Sequence, residues 1–342
     1  MSLARSALPR LSSAWTPGRL GSVTADLGPR PHEWTSRARV HGGSRPPLSR
    51  VSLVSTVHKA PTSDLPSVHP PIVVLHGLFG SKQNWRSLSR ALTGQTFVDV
   101  HALDLRNHGE SPQDSQMDYT VMAEDVAGYL EEQGIGRAFI LGHSMGAKVA
   151  MTLALHPDAE VARRVQGLVA VDMAPRRAPL SLDFQTYLRA MQRINEARPH
   201  KSSQADALLS PDVPDVGVRQ FLLTNCKRSA PTEPYTFRLP LAYLEKALPN
   251  LSDFPPSHSP HPPVYHGPSL FVRGSRSSYL GDEDTLGIQT YFPKAVFSTL
   301  DAGHWVHAEK PTEFLEAVST FYNDVTSALP STLDGVAVRT LV

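Results

Sequence analysis

Five residues, Gly142-His143-Ser144-Met145-Gly146, constrain this chain more than any other stretch. They follow the apolar run Ala138-Phe139-Ile140-Leu141. They precede Ala147-Lys148-Val149-Ala150-Met151-Thr152-Leu153-Ala154-Leu155, which reads as a helix. A strand, a G-x-S-x-G turn and a helix make a nucleophile elbow, which lifts a serine hydroxyl above a sheet edge. The turn is strained, and flanking glycines give its backbone room. The helix start points N–H groups and its dipole at the same spot, which favours developing negative charge. A plain Gly-Ser connection is the bland alternative. The strand before and the helix after favour the elbow, so Ser144 is the expected nucleophile.

A serine hydroxyl needs a base to take its proton. The candidate is His304, in Asp301-Ala302-Gly303-His304-Trp305-Val306-His307. It follows the strand-like Ala295–Leu300 and precedes a helix that starts near Pro311 and runs from Glu313 to about Asn323. The order Ser…His, with the base late in the chain, is that of the α/β-hydrolases. The chain has fifteen histidines, and His304 stands out by this placement. His143 and His307 read as packing residues.

The acid is less directly marked. The usual place follows the apolar run Ser269-Leu270-Phe271-Val272, but serines stand there (Ser275, Ser277, Ser278). Asp282 and Asp284 come later in a loop. One strand earlier, Asp172 ends the apolar Gly167-Leu168-Val169-Ala170-Val171. A carboxylate there can hold the second nitrogen of the histidine and fix its tautomer. Asp172 is favoured, with Asp282 and Asp284 left as alternatives. The oxyanion hole needs two backbone N–H donors. Met145, after the nucleophile, supplies one. Leu78, in the loop after Pro71-Ile72-Val73-Val74-Leu75-His76-Gly77, is chosen for the other. His76 is expected to brace that loop. Leu78, Phe79 and Met145 side chains would line the acyl pocket.

These motifs give a family resemblance. His76-Gly77-Leu78-Phe79-Gly80-Ser81, Asp104-Leu105-Arg106-Asn107-His108-Gly109-Glu110-Ser111, Gly142 to Lys148, Val171 to Pro175 and Ala302 to Pro311 carry it. The chain resembles the α/β-hydrolase group that contains the bacterial esterase YbfF, the mitochondrial abhydrolase-domain-containing protein eleven and the yeast ethanol acetyltransferases. In that group the acid ends the strand after the nucleophile helix, which implies Asp172. The resemblance spans roughly residues 51 to 323. Ala147 stands where a third glycine is commoner, and Pro255 to Pro268 reads as an insertion.

The expected fold is α/β: a mostly parallel sheet flanked by helices, with a helical cap insertion. Residues 51–177 and 248–323 form the core, 178–247 the cap and 324–342 a flexible tail. Tyr187, Met191, Phe221 and Leu222 are candidate pocket liners within the cap. One cysteine, Cys226, excludes an internal disulfide. A net charge of +1 gives no sign of nucleic-acid binding. No stretch approaches the roughly 18 apolar residues of a transmembrane helix. The charge is uneven. Residues 1–60 carry nine Lys or Arg against Asp26 and Glu33, a surplus of seven that leaves the remainder at −6. The Arg- and Ser-rich start reads as a mitochondrial transit peptide over about residues 1–50.

The function expected is a serine esterase or thioesterase with the triad Ser144-His304-Asp172, a small-molecule substrate, and no cofactor or metal. If the acceptor is an alcohol, the same chemistry makes esters from acyl-CoA. A non-catalytic binding protein of this fold would need a damaged triad, and every candidate member is present.

Overall fold

Alternate residues of the apolar runs face opposite sides of one sheet, and both sides are covered. The computed structural model describes residues 49–61 and 69–329. In chain order the strands are β1 (Ser55–His58), β2 (Ile72–Leu75), β3 (Val100–Leu103), β4 (Ala138–His143), β5 (Val165–Val171), β6 (Cys226–Lys227), β7 (Thr236–Phe237), β8 (Ser269–Gly274) and β9 (Ala295–Leu300). Seven of them form one sheet in the order β1-β3-β2-β4-β5-β8-β9, and β6 and β7 form a separate hairpin. β1 pairs antiparallel and the other neighbours are parallel. Parallel strands are buried on both faces, which is why they read as continuous apolar runs. Val73, Leu75 and Ile140 pack on one side; Ile72, Val74, Phe139 and Leu141 pack on the other.

The helices follow the same order. Between strands of the sheet lie α1 (Arg86–Thr96), α2 (Tyr119–Glu132), α3 (Met145–Ala154) and the short α4 (Ala159–Ala162). Between β5 and β8 the chain makes a helical excursion of α5 (Leu182–Ala197), α6 (Ser202–Leu209), α7 (Val216–Leu223) and α8 (Leu241–Leu251). Then come α9 (Thr285–Tyr291), α10 (Val306–Glu309) and α11 (Pro311–Ser327). Because the strands are parallel, the loops after β2, β4, β5, β8 and β9 gather along one edge. Leu75 pairs with Gly142, and His143 with Val171, so these loops begin almost level.

β1 is paired only from Ser55, because side chains take earlier backbone donors: Val51 N–H donates to Asp125 and Val54 N–H to Ser111 Oγ. One boundary differs from expectation. The last helix runs past Asn323 to Ser327, where Thr326 is buried. The transit-peptide reading falls on residues outside those described, save its last two.

One buried ion pair ties the loop after β3 to α2. Arg106 donates through Nε to Asp125 Oδ2 at 2.6 Å and through Nη2 to Oδ1 at 2.8 Å. Both side chains are fully buried. The guanidinium also reaches the Gln116 and Ser49 carbonyls. Removing one partner leaves the other charge buried without compensation. Asp125→Ala is expected to lower unfolding free energy by about 3–5 kcal/mol, measured by chemical denaturation.

Candidate active site

The elbow depends on close packing. Ser144 has φ 53° and ψ −115°, in the left-handed half of backbone space. Such a conformation persists only where its surroundings hold it. Here a Cβ at Gly142 would lie 2.1 Å from the Gly146 carbonyl oxygen, and one at Gly146 would lie 2.4 Å from the Leu75 carbonyl oxygen. A side chain at Gly142 would push the start of α3 away from β4, and one at Gly146 would push it away from β2. Ser144 N–H donates to the Val171 carbonyl at 3.0 Å, which fixes the turn to the neighbouring strand.

The structure brings Ser144, His304 and Asp172 together. Ser144 Oγ is 3.0 Å from His304 Nε2, and His304 Nδ1 is 2.7 Å from Asp172 Oδ2. Asp172 is fully buried at the end of β5, also with positive φ (51°). It accepts further bonds from Gly274 N–H at 3.0 Å and from the Ser277 hydroxyl. This carboxylate holds the proton on Nδ1, so the Nε2 lone pair faces the serine. Tyr279 stacks on the imidazole at 4.1 Å between ring centroids. His143 Nε2–H donates to the His304 carbonyl at 2.9 Å, a tether that its reading as a packing residue did not include.

The alternative acids lie in other ion pairs. Asp282 pairs with Arg273, and Asp284 with Arg176 at 2.6 Å. Ser277 was missed as a site residue. The serine-rich loop after β8 lacks the carboxylate sought there, and instead supplies a hydroxyl to the carboxylate one strand away.

The loop after β2 is a tight turn: Gly80 N–H donates to the Gly77 carbonyl at 2.9 Å, and Phe79 has φ 62°. Two buried histidines pin it. His76 donates through Nδ1 to the Gly77 carbonyl, while its Nε2 accepts from Leu105 N–H at 3.0 Å. His108 donates through Nδ1 to the Arg106 carbonyl, and its Nε2 accepts from Phe79 N–H at 3.1 Å. From the helical excursion, Asn225 donates to the Phe79 carbonyl at 2.6 Å. Among the described residues, no hydrogen bond occupies the N–H of Leu78 or Met145. His108 and Asn225 were not singled out from sequence; each shows its role only through a contact distant along the chain.

Burial keeps these rings neutral. It lowers the pKa of His76 to about 4 and those of His108 and His307 to about 3, and pushes His143 well below the ordinary range. His307 stacks flat on Trp85 at 4.3 Å. Beneath the turn, Lys82 pairs with buried Asp104, whose Oδ1 also accepts Lys82 N–H at 2.7 Å.

A cavity of about 450 Å³ opens over Ser144 and His304. Leu78, Phe79, Phe184, Tyr187, Phe221 and Leu222 are among its walls. Of the candidate liners, Met191 does not reach it; fully buried in α5, it packs in the hydrophobic core.

A parallel sheet with a serine elbow and a histidine over its edge defines the α/β-hydrolase architecture. Residues 72–317 match the alpha/beta hydrolase family. The sn-1-specific diacylglycerol lipase ABHD11 of Xenopus laevis is 40% identical over 257 residues, which cover 74% of this chain and 79% of that protein. A probable alcohol acetyltransferase of Saccharomyces cerevisiae is 37% identical over 274 residues, covering 76% of this chain and 79% of its own. Among solved structures, a marine microorganism esterase aligns with TM-score 0.70 and 29% identity, over 79% of this chain and 99% of that one. The chain belongs to the alpha/beta hydrolase family.

The neutral histidines make stability depend on pH. A His76 pKa near 4 lies below the unfolded value near 6.5, so the unfolded chain takes up protons first as pH falls. Stability is expected to be complete above pH 6.5 and to fall from there toward about pH 4. In His108→Gln the slope should drop by up to one proton, about 1.4 kcal/mol per pH unit, read from denaturation midpoints across that range.

Proposed function

We propose that the protein is a serine hydrolase that cleaves esters or thioesters through an acyl-enzyme. The observation that carries this is the continuous hydrogen-bonded line Ser144–His304–Asp172, opening into a cavity beside two unused backbone donors. Ser144 Oγ attacks the carbonyl carbon while His304 Nε2 takes its proton. The Leu78 and Met145 N–H groups receive the oxyanion. His304 then passes the proton to the leaving alcohol or thiol. A water next loses a proton to His304, attacks the acyl-enzyme, and releases the acid as the proton returns to Ser144. Asp172 holds the imidazolium that forms in each half.

A relative named as an acetyltransferase supports a second outcome from the same acyl-enzyme. If an alcohol reaches the acyl-enzyme before water, an ester is made. The cavity walls from α5 and α7 would decide this by controlling water. Residues 178–247 would then be a cap, with Asn225 carrying its position to the oxyanion turn. The division into core, cap and tail belongs to this reading. The basic, Ser-rich segment 1–50 supports delivery to mitochondria. A purely binding role is disfavoured by the intact relay.

Ser144→Ala is expected to abolish 4-nitrophenyl acetate turnover and covalent labelling by a fluorophosphonate. Asp172→Asn should lower kcat by about 10⁴-fold, because an amide stabilises the wrong tautomer. Adding ethanol to acetyl-CoA turnover distinguishes the acceptors: ethyl acetate marks transfer, and acetate alone marks hydrolysis. An intact protein that neither turns over nor labels would overturn the catalytic reading.

A further inference from the structure

His304 has a neighbour that the proposed mechanism leaves unused. The Tyr279 ring lies stacked on the imidazole, with 4.1 Å between centroids and 29° between planes. Tyr279 is fixed by the loops that build the relay. Its N–H donates to Ser277 Oγ at 3.2 Å, and its carbonyl accepts from the N–H of Ala174, just beyond Asp172, at 3.3 Å. The loop after β8 therefore reaches the relay twice: Ser277 meets the carboxylate and Tyr279 meets the imidazole. Burial first, then the charges of Asp183 and Asp172, raise the pKa of the Tyr279 phenol, so a neutral ring faces His304.

The other groups around His304 come from separate elements. Asp172, at the end of β5, holds Nδ1, and Ser144 Oγ faces Nε2. His143, at the end of β4, lies 4.8 Å away between ring centroids, and His307 approaches from α10. Burial lowers the pKa of both far enough to keep them neutral. The His304 side chain is 13% exposed, so little water is left to solvate a charge on it. When Nε2 takes the serine proton, the ring becomes a cation in this enclosed place. The negative face of an aromatic ring attracts a cation within about 6 Å of its centroid, most strongly where water is excluded.

We propose that Tyr279 is a positioning residue of the base, its π face stabilising the imidazolium that His304 becomes in each half-reaction. This rests on the serine-hydrolase reading. Asp172 holds the cation by its Nδ1 edge and Tyr279 holds it by its face, so the two act from different directions. A neutral imidazole gains less from the ring than an imidazolium does. The contact therefore strengthens on the way to the transition state, and only such a difference raises the rate.

The test separates the charge distribution of the ring from its bulk. Tyr279→Phe keeps a π face, and Tyr279→Leu keeps apolar bulk without one. In the full chain, kcat for 4-nitrophenyl acetate is expected to be roughly 3- to 30-fold lower in Tyr279→Leu than in Tyr279→Phe. The acid limb of the pH–rate profile should also lie about 0.4–1.5 pH units lower in Tyr279→Leu, because the imidazolium has lost a partner. Adding ring fluorines to the Tyr279→Phe side chain drains the π face at nearly constant shape, and log kcat should fall with each addition. Should Tyr279→Leu not fold, the fluorine series decides alone. Equal kcat and equal pH profiles in the Leu and Phe variants, or a fluorine series without a trend, would overturn the role of Tyr279 while leaving the hydrolase reading intact. If the unaltered chain turns over no ester and takes no fluorophosphonate, the hydrolase reading fails. NMR titration of the His304 imidazole then judges the contact by itself. Its midpoint should fall along the fluorine series, and an unmoved midpoint overturns the proposal.

Discussion

Gly142 and Gly146 let the first turn of α3 close onto the ends of β4 and β2, and the site is assembled around that contact. The approach forces Ser144 into a conformation that non-glycine residues rarely adopt. The hydrogen bond from its N–H to β5 and the weight of buried sheet on both sides hold it there. A strained residue in a rigid setting keeps its hydroxyl at a fixed height above the sheet edge. Every partner of the serine is then positioned against that point: His304 from the loop after β9, Asp172 from the end of β5, Leu78 from the loop after β2.

The loops around the elbow are held by polar groups removed from water. Asp172 receives three donors, from Gly274, Ser277 and His304. His76 and His108 each donate through one ring nitrogen and accept through the other, which requires a neutral ring, and His143 is held neutral by burial. Protonating any of them would break an acceptor site or bury a charge, so burial and hydrogen bonding agree on the neutral state. Such networks are rigid only when every member is satisfied. In the proposed mechanism that rigidity suits backbone donors that must await a charge existing only in the transition state. Asn225 extends the network outward, joining the excursion between β5 and β8 to the turn that carries Leu78.

Much of this was legible in sequence for simple reasons. Buried parallel strands are apolar throughout, so β2, β4, β5 and β8 stand out as runs. The elbow needs glycine at fixed positions, and His304 follows a strand in the order the fold requires. The acid was less plain, since Asp172 and the pair Asp282 and Asp284 are all carboxylates near the right sheet edge. Only Asp172 reaches the imidazole; Arg176 and Arg273 hold the other two away. Met191 shows the same limit. Helical periodicity places it on an apolar face but cannot say whether that face meets a cavity or a core.

The sequence by itself determined the strand pattern, the strained serine turn and the residue types of a relay, because backbone geometry and side-chain period act locally. Tertiary structure alone decided which carboxylate meets His304, that Ser277 and His143 steady it, that Asn225 reaches the Phe79 carbonyl, and that Lys148 is buried against the Asp253 carbonyl. Those contacts join residues up to 161 positions apart. No local rule reports them, because a hydrogen bond depends on what the fold brings within a few ångströms.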